Sequence, residues 1–414
     1  MPVARTRSVA VRPQINRDVP EERGAARIVR IEEGGVMAKN RLQELHDMGQ
    51  SIWLDSIDRR MLTDGELERR IRDDALTGMT SNPTIFQKAL ASSDAYDEQL
   101  LAAEQGLTPM QLFELVETTD VRDACDIFAG VYSSTRGADG FVSIEVSPGV
   151  SHSADATIEE ARRLWKTVDR PNVMVKVPGT PEGAIAVRRL IAEGINVNIT
   201  LLFAIEAHER VVEAYLAGLE DRVKARKPID GLASVASFFV SRVDTEIDKR
   251  LDAMIAKAPQ LERERLQLLK GRAAIANAKL AYRLFTQKFS GPRWEALSKQ
   301  GARVQRPLWA STSTKNPAYR DVMYVEELIG PDTVDTMPPA TIDAFENHGV
   351  VARTVDKRVS AAEALLKEIE AVGISIREVT EKLLIDGIAS FQKSFDELLA
   401  GLEAKIGSLA PGGK

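Results

Sequence analysis

Eight short apolar runs alternate with amphipathic stretches along most of this 414-residue chain. The apolar runs are rich in β-branched residues and end at Gly, Pro or polar residues, which is typical of strands buried on both faces. They cover residues 51–57, 78–82, 141–148, 172–178, 195–203, 235–244, 304–312 and 333–338. Helical periodicity is found between them, at 63–74, 108–135, 158–168, 182–192, 205–225 and 261–289. Because parallel strands require crossovers of this length, the pattern predicts a closed (β/α)8 barrel, or TIM barrel.

An open, doubly wound α/β sheet is the alternative, but no Gly-rich phosphate loop follows the first predicted strand. Two crossovers, 84–135 and 245–303, are longer than one helix and are expected to add helices at the rim. After the eighth strand, residues 359–372 and 375–402 have helical periodicity, the second with Ser375 and Glu378 at capping-box spacing. We therefore expect an α/β TIM barrel with extra rim helices and a C-terminal helical extension.

The two ends of the chain differ from this pattern. Residues 1–36 have no Leu and no aromatic residue, and they carry seven Arg against five acidic residues. Such a segment buries too little apolar surface to order itself. We expect a disordered tail over 1–36, or a true start of synthesis at Met37, then a single domain over 37–409 and a disordered tail over 410–414.

The composition argues against several classes of binding partner and of catalytic site. The 55 Lys and Arg nearly balance the 61 Asp and Glu, so the net charge of −6 does not favour nucleic acid or an anionic membrane as a partner. No apolar run approaches the ~20 residues of a membrane span, and a cytoplasmic location is expected. With one cysteine and four scattered histidines, the sequence supports no internal disulfide, metal site or His-based triad, and it indicates no particular oligomeric state.

Polar side chains interrupt or follow the predicted strands, and the C-terminal strand ends of such barrels carry active sites. These candidates are Asp55, Asn82, Glu145, Lys176, Asn198, Thr200, Ser237, Arg242, Ser311 and Lys315. Structural alternatives are that Asp55 caps a helix, that Asn82 is a turn residue, and that Arg242 pairs with Glu246. If these side chains meet at the C-terminal mouth of the barrel, the site contains an amine, two carboxylates, two amides and a group of residues suited to binding phosphate.

Lys176 is the most informative candidate, because it lies in the middle of the apolar run 172–178. Burial is unfavourable for a charged ammonium and favours the neutral amine, which is the nucleophile that forms an imine with a carbonyl substrate. The structural alternative is a lysine whose amine extends from the strand end into solvent.

At these strands the chain resembles the transaldolases of the longer bacterial type, over nearly all of 37–407. The segments that carry the resemblance follow the family's order: WLDSI at 53–57, GMTSNPTIF at 78–86, VSIEV at 142–146, MVKVP at 174–178, VNITLLF at 197–203, SFFVSR at 237–242 and WASTSTKNP at 309–317. The resemblance implies a TIM barrel with a Schiff-base lysine on strand four, no metal or organic cofactor, and a place in the non-oxidative pentose phosphate pathway.

Site roles also follow from the resemblance. It implies that Lys176 attacks the C2 carbonyl of sedoheptulose 7-phosphate or fructose 6-phosphate, while Glu145 and a water held by Thr200 transfer protons. Asp55 would take the C4 hydroxyl proton, and the dihydroxyacetone unit would pass to glyceraldehyde 3-phosphate or erythrose 4-phosphate. The sugar hydroxyls and the phosphate would be bound by Asn82, Asn198, Ser237, Arg242, Ser311 and Lys315. Shorter relatives have an arginine after the seventh strand, where this chain has Lys315.

Two other functions are open at this point. Fructose 6-phosphate aldolases share the fold and the lysine but release free dihydroxyacetone; they are shorter and typically have glutamine and tyrosine where this chain has Glu145 and Phe239. Those two residues favour the transferase. A barrel without activity, kept as a binding protein, would be expected to lack Lys176, Asp55 or Glu145, and all three are present.

Overall fold

Eight parallel strands close into a barrel in the computed structural model, which describes residues 40–104 and 106–409. Neighbouring strands follow the order of the sequence, and the first pairs with the eighth. The strands are β1 (Gln50–Asp55), β2 (Leu76–Thr80), β3 (Phe141–Glu145), β4 (Val173–Pro178), β5 (Val197–Leu202), β6 (Ser234–Phe239), β7 (Arg306–Ala310) and β8 (Thr333–Met337). The predicted TIM barrel is confirmed, while the predicted tails at 1–36 and 410–414 lie outside the described residues.

Helices surround the barrel, and the two long crossovers each contain four of them. The helices are α1 (Arg41–Asp47), α2 (Arg59–Thr63), α3 (Glu66–Asp73), α4 (Pro83–Ser92), α5 (Asp97–Ala102), α6 (Pro109–Ile127), α7 (Ala129–Ser134), α8 (Ala154–Val168), α9 (Pro181–Glu193), α10 (Ile205–Lys224), α11 (Ser241–Ile255), α12 (Gln260–Gln267), α13 (Ala273–Lys288), α14 (Gly291–Ser298), α15 (Met323–Glu326), α16 (Pro339–His348), α17 (Val359–Ala371) and α18 (Ile376–Leu409). Several begin with a side-chain cap followed by proline, as at Thr108 and Thr180. In the described part of the chain, no helix is both long and apolar enough to cross a membrane.

Most predicted segment boundaries differ from the observed ones by a few residues, and the difference at the sixth strand affects the site. The sixth strand ends at Phe239 instead of residue 244, and α11 begins at Ser241, so Arg242 lies in the first turn of a helix. Val240 and Val243 are buried there, and buried apolar residues at a helix start continue the strand's hydrophobic run without a break. The predicted helix 261–289 is also divided, because Gly271 adopts φ +69° between α12 and α13.

The C-terminal extension forms α17 and the long helix α18, and α18 packs against α4, α6 and α11. All three partners lie in the long crossovers. Phe391 of α18 reaches the cavity at the C-terminal mouth of the barrel, so the extension contributes to the wall of the site.

Asp335 of β8 is a buried carboxylate outside that cavity, and it leads to a stability prediction. Its Oδ1 accepts a hydrogen bond from Thr312 at 2.8 Å, its Oδ2 has no partner among the described residues, and burial raises its pKa to about 7. The folded state therefore holds the proton more tightly than the unfolded chain, whose carboxyl has the ordinary pKa of 3.8. The stability contribution is complete below pH 4 and is lost as the pH rises to about 7, at ~1.4 kcal/mol per pH unit.

Asp335→Asn removes this titration while keeping the side chain's shape. Urea unfolding between pH 5 and 8 is expected to show a shallower decline of the unfolding free energy than in the wild type. Asp230→Asn, at an exposed position, is the control and should retain the wild-type decline. An unchanged decline in Asp335→Asn would contradict the assignment.

Candidate active site

A cavity of about 300 Å³ opens at the C-terminal ends of the strands. This volume suits a small molecule. Eight of the ten predicted site residues line it: Asp55, Asn82, Lys176, Thr200, Ser237, Arg242, Ser311 and Lys315. The other two, Glu145 and Asn198, flank Lys176 on the neighbouring strands β3 and β5. Residues that are far apart in the sequence are therefore brought to one mouth by the closed sheet.

Lys176 lines this cavity and is buried, with only 5% of the residue exposed. Its Nζ donates a hydrogen bond to the backbone carbonyl of Ser81 at 3.0 Å. The same Nζ lies 3.0 Å from Oε2 of Glu145, as an ion pair that is not aligned as a hydrogen bond. The alternative of a lysine that extends into solvent is therefore wrong.

Glu145 is a buried carboxylate whose proton affinity is tuned by its surroundings. Burial raises its pKa, the charge of Lys176 partly opposes this shift, and Asp55 adds to it. Its strand position directly opposite Lys176 holds the two side chains together. Glu145 is therefore placed to exchange a proton with the lysine amine.

Thr200 supplies a hydroxyl that needs a partner. It is fully buried, it lines the cavity, and its Oγ1 has no hydrogen-bond partner in the part of the chain that the structure describes. Buried polar atoms are nearly always satisfied by protein or by water. The site can thus hold a water or a substrate oxygen next to Thr200.

Asp55 faces the cavity from the end of β1. Its Oδ1 accepts a hydrogen bond from Thr80 at 3.0 Å, and the Thr80 hydroxyl lies 2.9 Å from that of Thr336. Burial raises the pKa of Asp55, while Lys176 and the Thr80 hydrogen bond lower it. The helix that follows is capped by Asp58, so the alternative that Asp55 is a helix cap is wrong. The threonine pair that orients Asp55 was not among the candidates, although both threonines lie at strand ends.

The two predicted amides have different surroundings. Asn82 caps α4 by accepting from the backbone N–H of Ile85 at 3.0 Å, and it also lines the cavity. Asn198 is fully buried, donates to Ser143 Oγ at 3.0 Å and accepts from Ser237 Oγ at 2.6 Å. Its amide groups are thus already engaged beside the cavity, and direct contact between Asn198 and substrate stays a prediction.

Positive charge collects around one part of the cavity. The Arg242 guanidinium lies 5.3 Å from the centre of the Phe239 ring, and burial lowers its pKa. Burial and then the charge of Arg242 lower the pKa of Lys315, whose Nζ donates to Ser313 Oγ at 2.8 Å. Glu246, the proposed partner of Arg242, instead pairs with Arg250 at 2.9 Å, so that alternative is wrong.

Lys88 is a cavity residue that the sequence reasoning missed. It lies on α4, lines the cavity and is close enough to Lys315 to act on its pKa. Lys88 lies three and four residues after Ile85 and Thr84, which also line the cavity, so the three share one face of α4. This spacing identifies Lys88 as a cavity residue only when the position of α4 over the mouth of the barrel is known. Lys88, Arg242 and Lys315 together form what we call the cation cluster, a site suited to a phosphate.

Fold and site together define a class: TIM-barrel enzymes that use a buried lysine amine, with carboxylates beside it, for chemistry on carbonyl compounds. Comparison with known proteins identifies the family. The family described as Transaldolase/Fructose-6-phosphate aldolase matches residues 52–402, so the chain belongs to it and is a transferase-class enzyme.

Three curated relatives are similar over nearly their whole length. The transaldolase of Trichodesmium erythraeum is 45% identical over 379 residues, which is 91% of this chain and 100% of that protein. Transaldolase 2 of a Nostoc species is 46% identical over 381 residues, again 91% and 100%. The transaldolase of Thermobifida fusca is 47% identical over 360 residues, 86% of this chain and 96% of that protein. The resemblance predicted from the strand motifs is confirmed.

Proposed function

We propose that this protein is a transaldolase that transfers a dihydroxyacetone unit from a ketose phosphate to an aldose phosphate in the non-oxidative pentose phosphate pathway. The observation that carries the proposal is the buried Lys176 amine, 3.0 Å from Glu145 in a cavity that Asp55 also lines. The cytoplasmic location stays a prediction from the sequence.

Imine formation begins with the transfer of a proton from the lysine ammonium to Glu145, which frees the amine to attack the C2 carbonyl of the substrate. The 3.0 Å separation is within reach for this transfer, and the raised pKa of Glu145 makes the carboxylate a better proton acceptor than an ordinary glutamate. Loss of water from the carbinolamine then needs an acid. Protonated Glu145 returns its proton to the leaving hydroxyl through a water at Thr200.

Carbon–carbon cleavage follows from the imine. Asp55 takes the proton of the C4 hydroxyl, the C4 oxygen becomes a carbonyl, and the electrons of the C3–C4 bond move into the protonated imine to give an enamine. Burial makes Asp55 a stronger base than an exposed aspartate. The aldose phosphate leaves, and the three-carbon unit stays covalently bound on Lys176.

The cation cluster gives both substrates the same anchor. The phosphate of the donor, and later that of the acceptor, can be bound by Arg242, Lys315 and Lys88, with each charged hydrogen bond contributing about 1.5–3 kcal/mol. A shared anchor returns the acceptor's aldehyde to the position that the leaving aldose occupied. Transfer rather than release is the result that this arrangement favours.

An acceptor-dependence assay tests the proposal. With fructose 6-phosphate as donor, erythrose 4-phosphate is expected to be required for steady turnover, and sedoheptulose 7-phosphate and glyceraldehyde 3-phosphate should appear in equal amounts. Each product can be quantified by mass spectrometry. Equal turnover without acceptor, with free dihydroxyacetone as product, would identify the enzyme as an aldolase instead.

A further inference from the structure

Two carboxylates on α11 bind two tyrosines from the segment that follows β7. Asp244 and Asp248 are one helical turn apart and buried, at 1% and 8% exposure. The hydroxyl of Tyr324 donates to Asp244 at 2.9 Å, and that of Tyr319 donates to Asp248 at 2.6 Å. Hydrogen bonds from neutral donors to buried carboxylates are strong, so these contacts bind the segment firmly to the helix.

The remaining oxygens of the same carboxylates accept hydrogen bonds from the first turn of α13 and from the turn before it. Asp244 accepts from the backbone N–H of Ala274 at 2.8 Å, and Asp248 accepts from that of Gly271 at 3.0 Å. Gly271 also lies against the ring of Tyr319, where a Cβ would be 2.6 Å from the ring carbon Cζ. The tyrosine is thus held by its hydroxyl and by packing of its ring.

The loop between β7 and α15, residues 311–322, carries part of the cation cluster. Its first residue is attached to the start of α11, because the Ser241 N–H donates to the Ser311 carbonyl at 3.1 Å and the two hydroxyls lie 3.0 Å apart. Thr312 attaches the loop to β8 through its hydrogen bond to Asp335, and Tyr319 attaches it again to α11. Lys315 lies between Thr312 and Tyr319, and its Nζ donates to Ser313 of the same loop, so its position depends on the path of the loop.

Arg242 lies in the first turn of α11, and Asp248 is on the same helix. One rigid element therefore carries one cation of the cluster and holds the loop that carries another. Arg242 and Lys315 repel each other when no anion is bound, which would drive the loop away from the cavity if it were not anchored.

We infer that Tyr319 is a positioning residue for the substrate phosphate: its hydrogen bond to Asp248 holds the loop so that Lys315 stays beside Arg242. The inference rests on the proposed function, since it assigns the cation cluster to a sugar phosphate. It predicts that the hydroxyl of Tyr319 matters for the binding of phosphorylated ligands and not for the chemistry at Lys176.

Tyr319→Phe tests this inference because it removes the hydroxyl and keeps the ring against Gly271. We expect KM for fructose 6-phosphate to rise about tenfold with kcat within about twofold, the size of effect of one lost charged hydrogen bond. The dissociation constant of inorganic phosphate, measured by calorimetry, should rise in parallel, while kcat/KM for unphosphorylated fructose should not change. Lys315→Met should raise KM for fructose 6-phosphate and the dissociation constant of phosphate by similar factors. The double variant Tyr319→Phe/Lys315→Met should bind phosphate only slightly more weakly than either single variant.

Tyr282→Phe is the matched control. It removes a tyrosine hydroxyl that donates to the carbonyl of Pro331 at 3.1 Å, two residues before β8 and thus at the opposite end of the barrel. This variant should bind phosphate like the wild type. If Tyr319→Phe lowered kcat/KM equally for fructose and for fructose 6-phosphate, the hydroxyl would have a general structural role and the inference would be wrong. An unchanged affinity for phosphate in this variant would also overturn the inference. Wild-type turnover tests the proposed function separately, because phosphate binding is measured without any reaction.

Discussion

Lys176→Ala is expected to abolish turnover of fructose 6-phosphate, with a loss on the order of 10⁵- to 10⁶-fold as for other covalent nucleophiles. The reason is that the buried amine next to Glu145 forms the bond to substrate, and the other lysines that line the cavity, Lys88 and Lys315, lie in the cation cluster. Borohydride with fructose 6-phosphate should reduce the imine in the wild type and leave a three-carbon adduct, which peptide mass spectrometry should locate on Lys176.

Lys88→Ala is the matched control for the trapping experiment, because it removes a lysine from the same cavity. Its adduct should still be found on Lys176. An adduct on any other lysine in the wild type, or a persistent adduct in Lys176→Ala, would show that Lys176 is not the nucleophile. Circular dichroism should verify that the alanine variant is folded, since it leaves Glu145 buried without its partner.

Asp55→Asn is expected to form the imine but to cleave it slowly, with kcat lower by roughly 10²- to 10⁴-fold. Asparagine can still accept the hydrogen bond from Thr80, so the geometry is preserved, but it cannot take the proton of the C4 hydroxyl. Borohydride should therefore trap an uncleaved six-carbon phosphate adduct instead of the three-carbon one. The mass of the trapped peptide distinguishes the two states directly.

Asp58→Asn provides the comparison for that variant. Asp58 is the cap of α2, three residues after Asp55, and asparagine is an equally good cap. This variant should turn over like the wild type and trap the three-carbon adduct. Normal turnover in Asp55→Asn would remove Asp55 as the base.

The strands were predictable because each is a local pattern. Each of the eight predicted runs overlaps one strand of the barrel, and the largest error, at the sixth, arose where buried Val240 and Val243 continued the run into a helix. The positions of most candidate residues at the cavity were predictable for a related reason. A charged residue inside an apolar run, such as Lys176, conflicts with its surroundings, and such conflicts are expected at functional sites.

Other site features could not be read from local pattern. Lys88 is an ordinary polar residue of an amphipathic helix, and it joins the cation cluster only because α4 lies over the mouth of the barrel. The hydrogen bonds of Asn198 to Ser143 on β3 and to Ser237 on β6 join strands that the sequence does not relate to one another. The hydrogen bond of Tyr319 to Asp248 spans 71 residues and follows no sequence spacing.

The sequence by itself determined the order of the eight strands, the place of Lys176 inside an apolar strand and the family of the enzyme, because periodicity and motif residues are properties of neighbouring positions. Only the tertiary structure decided which side chains meet: the 3.0 Å contact of Lys176 with Glu145, the partners of Asn198 and the anchoring of the Lys315 loop. The physical reason is that hydrogen bonds and ion pairs act over about 3–4 Å, and strand register and helix packing bring residues from distant parts of the chain within that range.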